Sequence, residues 1–462
     1  VTRACDLLII GAGPAGMRAA IAVAERGLDV VIADEGPGPG GQIYRNAATG
    51  PLSGAKAMGA EYARGRSLIE RFAACSARRH FDATVFMIER QDGGGFLVGL
   101  VVGPGPALLF SARTLIVATG AHERPMPIPG WTLPAVMTAG AAQTMLKASA
   151  AVPDGPIVLA GMGPLLYLLA AQYQRLGVKI DALLDTTPAG NWRGALAHLG
   201  GFLLSPYAWK GLRLLVEVHR RTRVYRNISD LRAEGEDRLA RVRFMSDGIE
   251  RSVEAGVLLL HQGVVPQVNL AMAAGARHHW NDMRRAFEPE RGALGESSVA
   301  GLFIAGDSGG IGGADSAEIE GALAAHGVLQ RLDRLKDTDE PAIASLQAQL
   351  RSAMRGRRFL DALYRPSDAQ LAPADDVVIC RCEEVTAGEI RETIQRGVRG
   401  PNQAKAFTRA GMGPCQARMC GLTTTMIIAT ATGLAPDAVG YMRLRMPVKP
   451  VTVAQMAGQM PD

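Results

Sequence analysis

The sequence predicts an α/β protein made of two Rossmann-like dinucleotide-binding domains followed by a small helical domain. At residues 6–36 an apolar run, a glycine-rich turn and an alanine-rich helix follow one another, and the same order returns at 155–185. Four of the six cysteines gather between positions 380 and 420. Strand and helix patterns that alternate in this way argue for parallel sheets covered by helices. With 462 residues, 48% of them hydrophobic and 20% charged, the chain has material for two or three domains.

The net charge of +6 is mild for this length, and no Lys/Arg run interleaves with aromatics, which argues against nucleic acid as a partner. No stretch reaches the ~18 uninterrupted apolar residues of a membrane span. The first strand, DLLIIG, begins at Asp6 and leaves no room for a signal peptide. The expectation is a cytoplasmic protein, where stable disulfides are rare. Isolated Cys5 and Cys75 then read as small core residues.

In DLLIIGAGPAGMRAAIAVAERGLDVVIADEG (6–36) the run at 7–10 suits a parallel strand buried on both faces. Gly11, Gly13 and Gly16 form GxGxxG, with Pro14 and Ala15 opening the helix. These glycines permit a tight turn, close approach of a pyrophosphate, and close packing of helix on strand. The helix N-terminus then faces the anion. Asp34 stands 23 positions after Gly11, followed by Glu35, where a carboxylate can accept from ribose hydroxyls. A merely structural glycine turn would not need the acid in register.

TLIVATGAHERPMPIPG (114–130) is an apolar strand ending in Thr119 and Gly120. GLFIAGDSGGIGGADSAEIEGALAAHG (301–327) is another, ending in Gly306 and Asp307, with Asp315 and Glu318 spaced to cap the helix after it. This ordered trio resembles the two-dinucleotide-domain flavoproteins related to glutathione and thioredoxin reductases. The resemblance spans about 330 residues and implies FAD, with Asp307 at the ribityl and pyrophosphate region. PGGQIYR (39–45) resembles the loop that passes the isoalloxazine, which adds Gly41 and Gln42. ATVFMIE (83–89) resembles the adenine-side strand, with Val85 as its backbone contact. The reactive cysteine pair of disulfide reductases has no counterpart.

The second motif, GPIVLAGMGPLLYLLAAQYQRLGVKIDALLD (155–185), keeps Gly161 and Gly163 but has Leu166 for the third glycine. Leucine there should push the helix off the strand or narrow the pyrophosphate cleft. Asp185, 24 positions after Gly161, remains at ribose spacing. The resemblance assigns NAD(P)H to this inserted domain, and Leu166 makes NAD(P) an unlikely ligand and a retained structural domain the blander reading. LLLHQGVVPQ (258–267) resembles the segment that returns to the first domain, near Gly263 and Pro266. The expected divisions are 1–150 with 264–335, an inserted 151–263, a helical connector at 336–375, a cysteine domain at 376–435 and a basic extended tail at 436–462. His278 and His279 read as a surface pair and His261 as a core histidine near the flavin. His122 and Glu123 cannot be made an acid–base pair from sequence, and no catalytic residue is assigned.

The cysteines follow C-x-C-x32-C-x4-C: Cys380, Cys382, Cys415 and Cys420. Disulfides, zinc, an iron–sulfur cluster and reduced thiols are the alternatives. Structural zinc favours two to four residues between paired cysteines. A [2Fe–2S] cluster takes two thiolates per iron in loops where glycines such as Gly411, Gly413 and Gly421 let the backbone approach. Thr386 and Glu389 form a capping box, Gly397 can end that helix, and Pro401 opens the next. The pattern resembles the bacterioferritin-associated-ferredoxin type of [2Fe–2S] domain.

The whole chain resembles the larger (alpha) subunits of opine oxidases, D-hydroxyproline dehydrogenases and hydrogen cyanide synthase. PGGQIYR, GMGPLLY, CRCEEVT, KAFTRAGMGPCQARMCG and RLRMPVKPVTVAQMA carry that resemblance. It implies an electron-transfer subunit whose FAD-containing, amino-acid-oxidase-like beta partner oxidises a C–N bond. It also leaves room for FMN at a shared interface and for a small third subunit. The downstream acceptor would be something other than NAD(P), which allows a peripheral position at the inner membrane. Arg443, Arg445 and Lys449 form a basic arm suited to docking or phosphate. The competing readings are a stand-alone NAD(P)H-dependent flavin/iron–sulfur reductase, disfavoured by Leu166, and an iron-handling module, disfavoured by the flavin motifs.

Overall fold

A computed structural model describes residues 2–458, so the last four positions of the expected tail lie outside the described residues. The chain opens with β1 (Arg3–Ile10), α1 (Pro14–Ala24), β2 (Val30–Ala33), α2 (Ala60–Ala74) and β3 (Arg78–His80). A meander, β4 (Ala83–Arg90), β5 (Phe96–Val102) and β6 (Ala107–Val117), completes the strand order 3-2-1-6-5-4. Strands 3, 2, 1 and 6 are parallel, and β5 and β4 add antiparallel pairs. Leu7 to Ile9 and Leu115 to Val117 are fully buried, which explains their unbroken apolar runs.

A short strand, β7 (Ala121–Glu123), leads to the second fold. There β8 (Val136–Thr138), α3 (Ala139–Ser149), β9 (Ile157–Met162), α4 (Pro164–Arg175) and β10 (Ala182–Asp185) are followed by three helices. These are α5 (Asn191–Leu196), α6 (Leu199–Leu203) and α7 (Pro206–His219). After β11 (Arg223–Tyr225) comes an antiparallel sheet of β12 (Ile228–Glu234), β13 (Arg241–Ser246) and β14 (Ile249–Glu254). Next, β15 (Val257–Gln262) completes a parallel sheet ordered 11-10-9-15-8.

The chain returns through β16 (Val264–Pro266), which pairs antiparallel with β7, then α8 (Asn269–Ala273), β17 (His278–Asn281) and β18 (Ala286–Pro289). β19 (Leu302–Ile304) joins the first sheet beside β6 and feeds α9 (Ala314–Arg331). The connector is a packed layer of α10 (Glu340–Ala353), α11 (Arg357–Leu363) and α12 (Asp368–Leu371). Phe359, Leu360 and Leu363 of α11 form a small core with Ala195, and Phe202 stacks on Phe359 at 4.2 Å.

The cysteine domain contains β20 (Val378–Cys380), β21 (Val385–Thr386), α13 (Ala387–Gln395), α14 (Pro401–Thr408) and α15 (Gly421–Thr432). The Thr386–Glu389 capping box forms, Gly397 follows the end of α13 with φ +93°, and Pro401 begins α14. The expected extended tail carries two short helices, α16 (Pro436–Val439) and α17 (Val453–Ala457). Cys75, expected in the core, is only half-buried because it ends α2 at the surface.

One contact organises the first domain. A Cβ on Gly16 would lie 1.8 Å from the Gly11 carbonyl oxygen, and a Cβ on Gly321 would lie 2.1 Å from that of Ala15. α1 can therefore press against both its own strand turn and α9. Gly321→Ala is expected to destabilise the protein by about 1–3 kcal/mol through overpacking. Thermal denaturation measures the loss, and an unchanged midpoint would count against this packing.

Candidate functional site

The first cleft lies at the carboxyl ends of β1, β6 and β19. No side chain caps α1, and Pro14 brings no N–H, so its first turn is left to bind an anion. Gly13 has no side-chain neighbour; its nearest approach is the Gly41 Cα, 3.9 Å from where a Cβ would stand. Asp34 Oδ2 accepts from the Ala12 amide at 2.5 Å and Oδ1 from Gly36 at 2.6 Å. Its first task is thus to brace the turn, and burial raises its pKa despite those amides. Val85 is buried on β4 at a register shift of the β4–β5 pair.

On the far side, Thr119 Oγ1 donates to the Gln267 carbonyl at 3.3 Å, and Gly120 has φ +67°. Gly306 follows β19, and Asp307 Oδ1 accepts from the Gly312 and Gly313 amides at 2.8 and 3.0 Å. This folds the glycine loop into the start of α9. The expected Asp315–Glu318 cap does not form. Gly313 occupies the N-cap without a side-chain bond, Asp315 pairs with Arg64, and Glu318 accepts from the Tyr44 hydroxyl at 3.0 Å. Tyr44 is buried and so fastens the PGGQIYR loop to α9. Lys147, which sequence reasoning missed, donates to the Gln42 and Ile43 carbonyls at 2.9 and 3.1 Å. Burial brings its pKa down to about 8. A lysine on a helix a hundred residues away gives no local signal of this role.

The second motif is built differently. Leu166 is fully buried in the core, so a packed side chain stands where Gly16 leaves α1 free to press on its own turn. The Tyr167 hydroxyl donates to Asp185 Oδ2 at 2.6 Å, while Oδ1 accepts from Thr187 at 2.9 Å. Partly buried Tyr364 of the connector also lies near Asp185, and desolvation foremost, then that carboxylate, raise its pKa. Gln370 Nε2 reaches the Thr186 carbonyl at 3.0 Å, and Asn191 Nδ2 bonds Leu363 and Arg365 carbonyls at 2.9 and 2.8 Å. The residue spaced for ribose is therefore held by its own chain.

Beneath this turn sits a pair that sequence could not join. His261 Nδ1 lies 2.5 Å from Glu123 Oε1, and Glu123 Oε2 accepts from the Gly140 amide at 2.8 Å, at the start of α3. Both groups are nearly excluded from solvent. His261 is thus the expected core histidine, placed under Gly163. His278, expected at the surface, is half-buried, whereas His279 is exposed.

The four tail cysteines converge without disulfides. Cys380 with Cys420, and Cys382 with Cys415, lie near enough for each thiol to perturb its neighbour's titration. Cys380 is lowered to about 6 by Cys420 together with amides of Gly411, Glu383 and Cys382, which outweigh its burial. Cys420 is correspondingly raised, first by Cys380 and then by burial. Among the described residues, no group of three or more His, Cys, Asp or Glu surrounds a single metal position.

Segment 267–269 links the two sites. Thr119 bonds Gln267, and Asn269 Nδ2 donates to the Gln416 carbonyl at 2.8 Å, within the cysteine loop. Along this seam His122 Nδ1, Gln262, Gln267 Oε1, Asn269 Oδ1 and Arg418 Nε are buried without a protein partner. Trp131 Nε1 also bonds the Val378 carbonyl at 2.7 Å. Of the basic arm, Lys449 pairs with Glu35 at 2.6 Å, while Arg443 and Arg445 are exposed.

The pyridine nucleotide-disulphide oxidoreductase family matches residues 5–321. The chain belongs to that family. The sarcosine oxidase A3 domain matches 377–459, so the cysteine region and tail fall within one family unit. An opine oxidase subunit of Agrobacterium tumefaciens (strain Ach5) is 46% identical over 98% of this chain and 91% of its own. Hydrogen cyanide synthase subunit HcnB of Pseudomonas aeruginosa is 33% identical over 96% of each. L-Proline dehydrogenase from P. horikoshii superposes with a TM-score of 0.73 at 19% identity, covering 98% of this chain and 80% of that one. T. acidophilum thioredoxin reductase gives 0.53 at 17%, covering 72% and 99%. These two structures share the fold. By its family and its relatives the chain is a flavin-dependent oxidoreductase.

NADH and NADPH are expected to reduce this protein's flavin slowly or not at all. Rapid anaerobic bleaching by micromolar nucleotide, followed by stopped flow, would contradict the closed second site. Tyr167→Phe removes a donor from the half-buried Asp185 carboxylate and is expected to lose about 1–3 kcal/mol of stability, read from denaturant unfolding.

Proposed function

We propose that this chain is the FAD- and [2Fe–2S]-containing electron-transfer subunit of a multi-subunit dehydrogenase. The assembly would oxidise the C–N bond of an amino or imino acid such as an opine or D-hydroxyproline. The observation that carries this reading is the bridge at 267–269, which ties the flavin-side strand end at Thr119 to the cysteine loop at Gln416. The full-length similarity to subunits of opine oxidase supports the substrate class.

FAD, when bound, supplies a two-electron carrier that can pass electrons singly to a cluster. The residues fit such a group. The uncapped α1 N-terminus, with Gly11, Gly13, Pro14, Ala15 and Gly16, receives the pyrophosphate, and Asp34 fixes the turn near the ribose. Lys147 and Tyr44 hold the Gly41–Gln42 loop, and Asp307 holds the loop before α9. Cys380, Cys382, Cys415 and Cys420 would hold a [2Fe–2S] cluster, which needs four thiolates and would supply a one-electron carrier. Backbone amides aimed at Cys380 favour its thiolate, the ligating form.

Among the described residues, no acid–base pair is tied to the cleft together with a cationic clamp for a carboxylate substrate. Amine oxidation is therefore assigned to an FAD-containing, amino-acid-oxidase-like beta subunit. The buried orphaned atoms His122 Nδ1, Gln262 Nε2 and Oε1, and Arg418 Nε are polar groups that FMN at a shared interface could satisfy. The final acceptor is something other than NAD(P), since Asp185 is already engaged.

Cys415→Ser is expected to abolish bound iron and sulfide while leaving FAD in place, as read by elemental analysis and visible absorption. Retention of stoichiometric iron and sulfide would disprove the ligand set. Dye-linked oxidation of opines or D-hydroxyproline is expected only when the chain is co-expressed with its genomic neighbours. Full turnover by the isolated chain would overturn the electron-transfer role.

A further inference from the structure

An apolar surface remains that neither cofactor region uses. Helices α5, α6 and α7 expose Trp192, Leu196, Leu203, Leu204, Trp209 and Leu212, with Leu203 62%, Leu204 76% and Trp209 74% exposed. These are large side chains on three consecutive helices within 21 residues, and such a concentration marks an interaction face. The opposite sides of the same helices are packed: Ala195, Leu214 and Val218 are buried, and Phe202 stacks on Phe359. The face is thus a supported platform.

Its charge is one-sided. Residues 191–227 contain seven Arg and Lys against one acid, Glu217, an excess equal to the +6 of the whole chain. Glu217 is itself paired with Arg175. Arg193, Arg213, Arg220, Arg221, Arg223 and Arg226 are exposed. We propose that this face docks on an anionic lipid bilayer. Leucine and tryptophan side chains flanked by a basic field are the composition that places helices in the headgroup layer. A second copy fits poorly, because a twofold contact would set one basic field against its equal. No described helix is long and apolar enough to cross a membrane, so the helices would lie on its surface.

The platform adjoins the flavin cleft. The Tyr207 hydroxyl of α7 donates to the Gly312 carbonyl at 3.3 Å, and the Gly312 amide is held by Asp307. Docking would bring that loop toward an acceptor dissolved in the bilayer; this last step rests on the proposed function, whereas docking itself does not.

Vesicle flotation tests it on the chain purified with its copurifying subunits. Binding is expected to phosphatidylcholine vesicles containing about one-third phosphatidylglycerol, to weaken in high salt, and to be absent from pure phosphatidylcholine. Leu204→Ser with Trp209→Ser should lower the bound fraction about tenfold, with circular dichroism, subunit composition and dye-linked activity unchanged. Arg213→Glu with Arg220→Glu should abolish the preference for phosphatidylglycerol without touching an apolar residue. Failure to float, equal binding by both double variants, or loss of copurifying subunits from Leu204→Ser/Trp209→Ser would overturn the proposal, the last by making this a protein interface. None of these readouts needs substrate turnover, so they stand apart from the assignment of the reaction.

Discussion

Two missing side chains, at Gly16 and Gly321, set the geometry on which the flavin cleft depends. They allow α1 to touch its own turn and α9 at backbone distance. Two helix N-termini without side-chain caps, α1 and α9, thereby border one cleft, where their amides and dipoles favour an anion. The side chains around them stabilise this arrangement. Asp34 and Asp307 each accept two loop amides, and Tyr44 joins the flavin loop to α9 through Glu318. Carboxylates that brace loops in this way restrict them before any ligand arrives, which lowers the ordering entropy of binding.

The cysteine domain is fixed to the flavin domain by buried contacts more than by charge. Val448 is buried in the core of the first sheet, and its amide bonds the Phe86 carbonyl at 3.0 Å. Arg418, inside the cysteine loop, donates to the Val448 carbonyl at 3.2 Å. By comparison the Lys449–Glu35 pair is largely solvated and contributes little, as exposed ion pairs do. The basic arm is then a strap whose hold comes from Val448, while Trp131 anchors the start of the cysteine domain through the Val378 carbonyl. Its charge is left over for solvent or partners at Arg443 and Arg445.

Legibility followed the range of the interactions. The two strand–turn–helix units, the capping box at Thr386 and the helix start at Pro401 are local features, with period, cap and turn residues adjacent in sequence, and all could be read there. Lys147 on Gln42, His261 on Glu123 and Tyr167 with Tyr364 at Asp185 depend on tertiary packing and left no local trace. The failed Asp315–Glu318 cap is instructive. The spacing was right, but a buried tyrosine offered Glu318 a better partner, and the glycine loop held by Asp307 already shaped the helix entrance. Leu166 was legible as a defect, though its consequence was larger than one lost glycine.

The chain carries its own control for that consequence, because both dinucleotide motifs fold on the same plan. In the first, the motif glycine lets the helix close in, and Asp34 is bonded only to amides of its own turn. In the second, a buried leucine stands at the glycine position, the next residue supplies a hydroxyl to Asp185, and Tyr364 at the end of a connector helix lies near it. These changes support one another. An unpaired half-buried carboxylate is costly unless a donor serves it. Tyr167 is that donor for Asp185, and Gln370 of α12 bonds the adjoining Thr186 carbonyl. Restoring glycine at position 166 would therefore reopen space without freeing the acid. The second fold is the surface on which the connector and α5–α7 are built, a structural role that does not depend on a bound nucleotide.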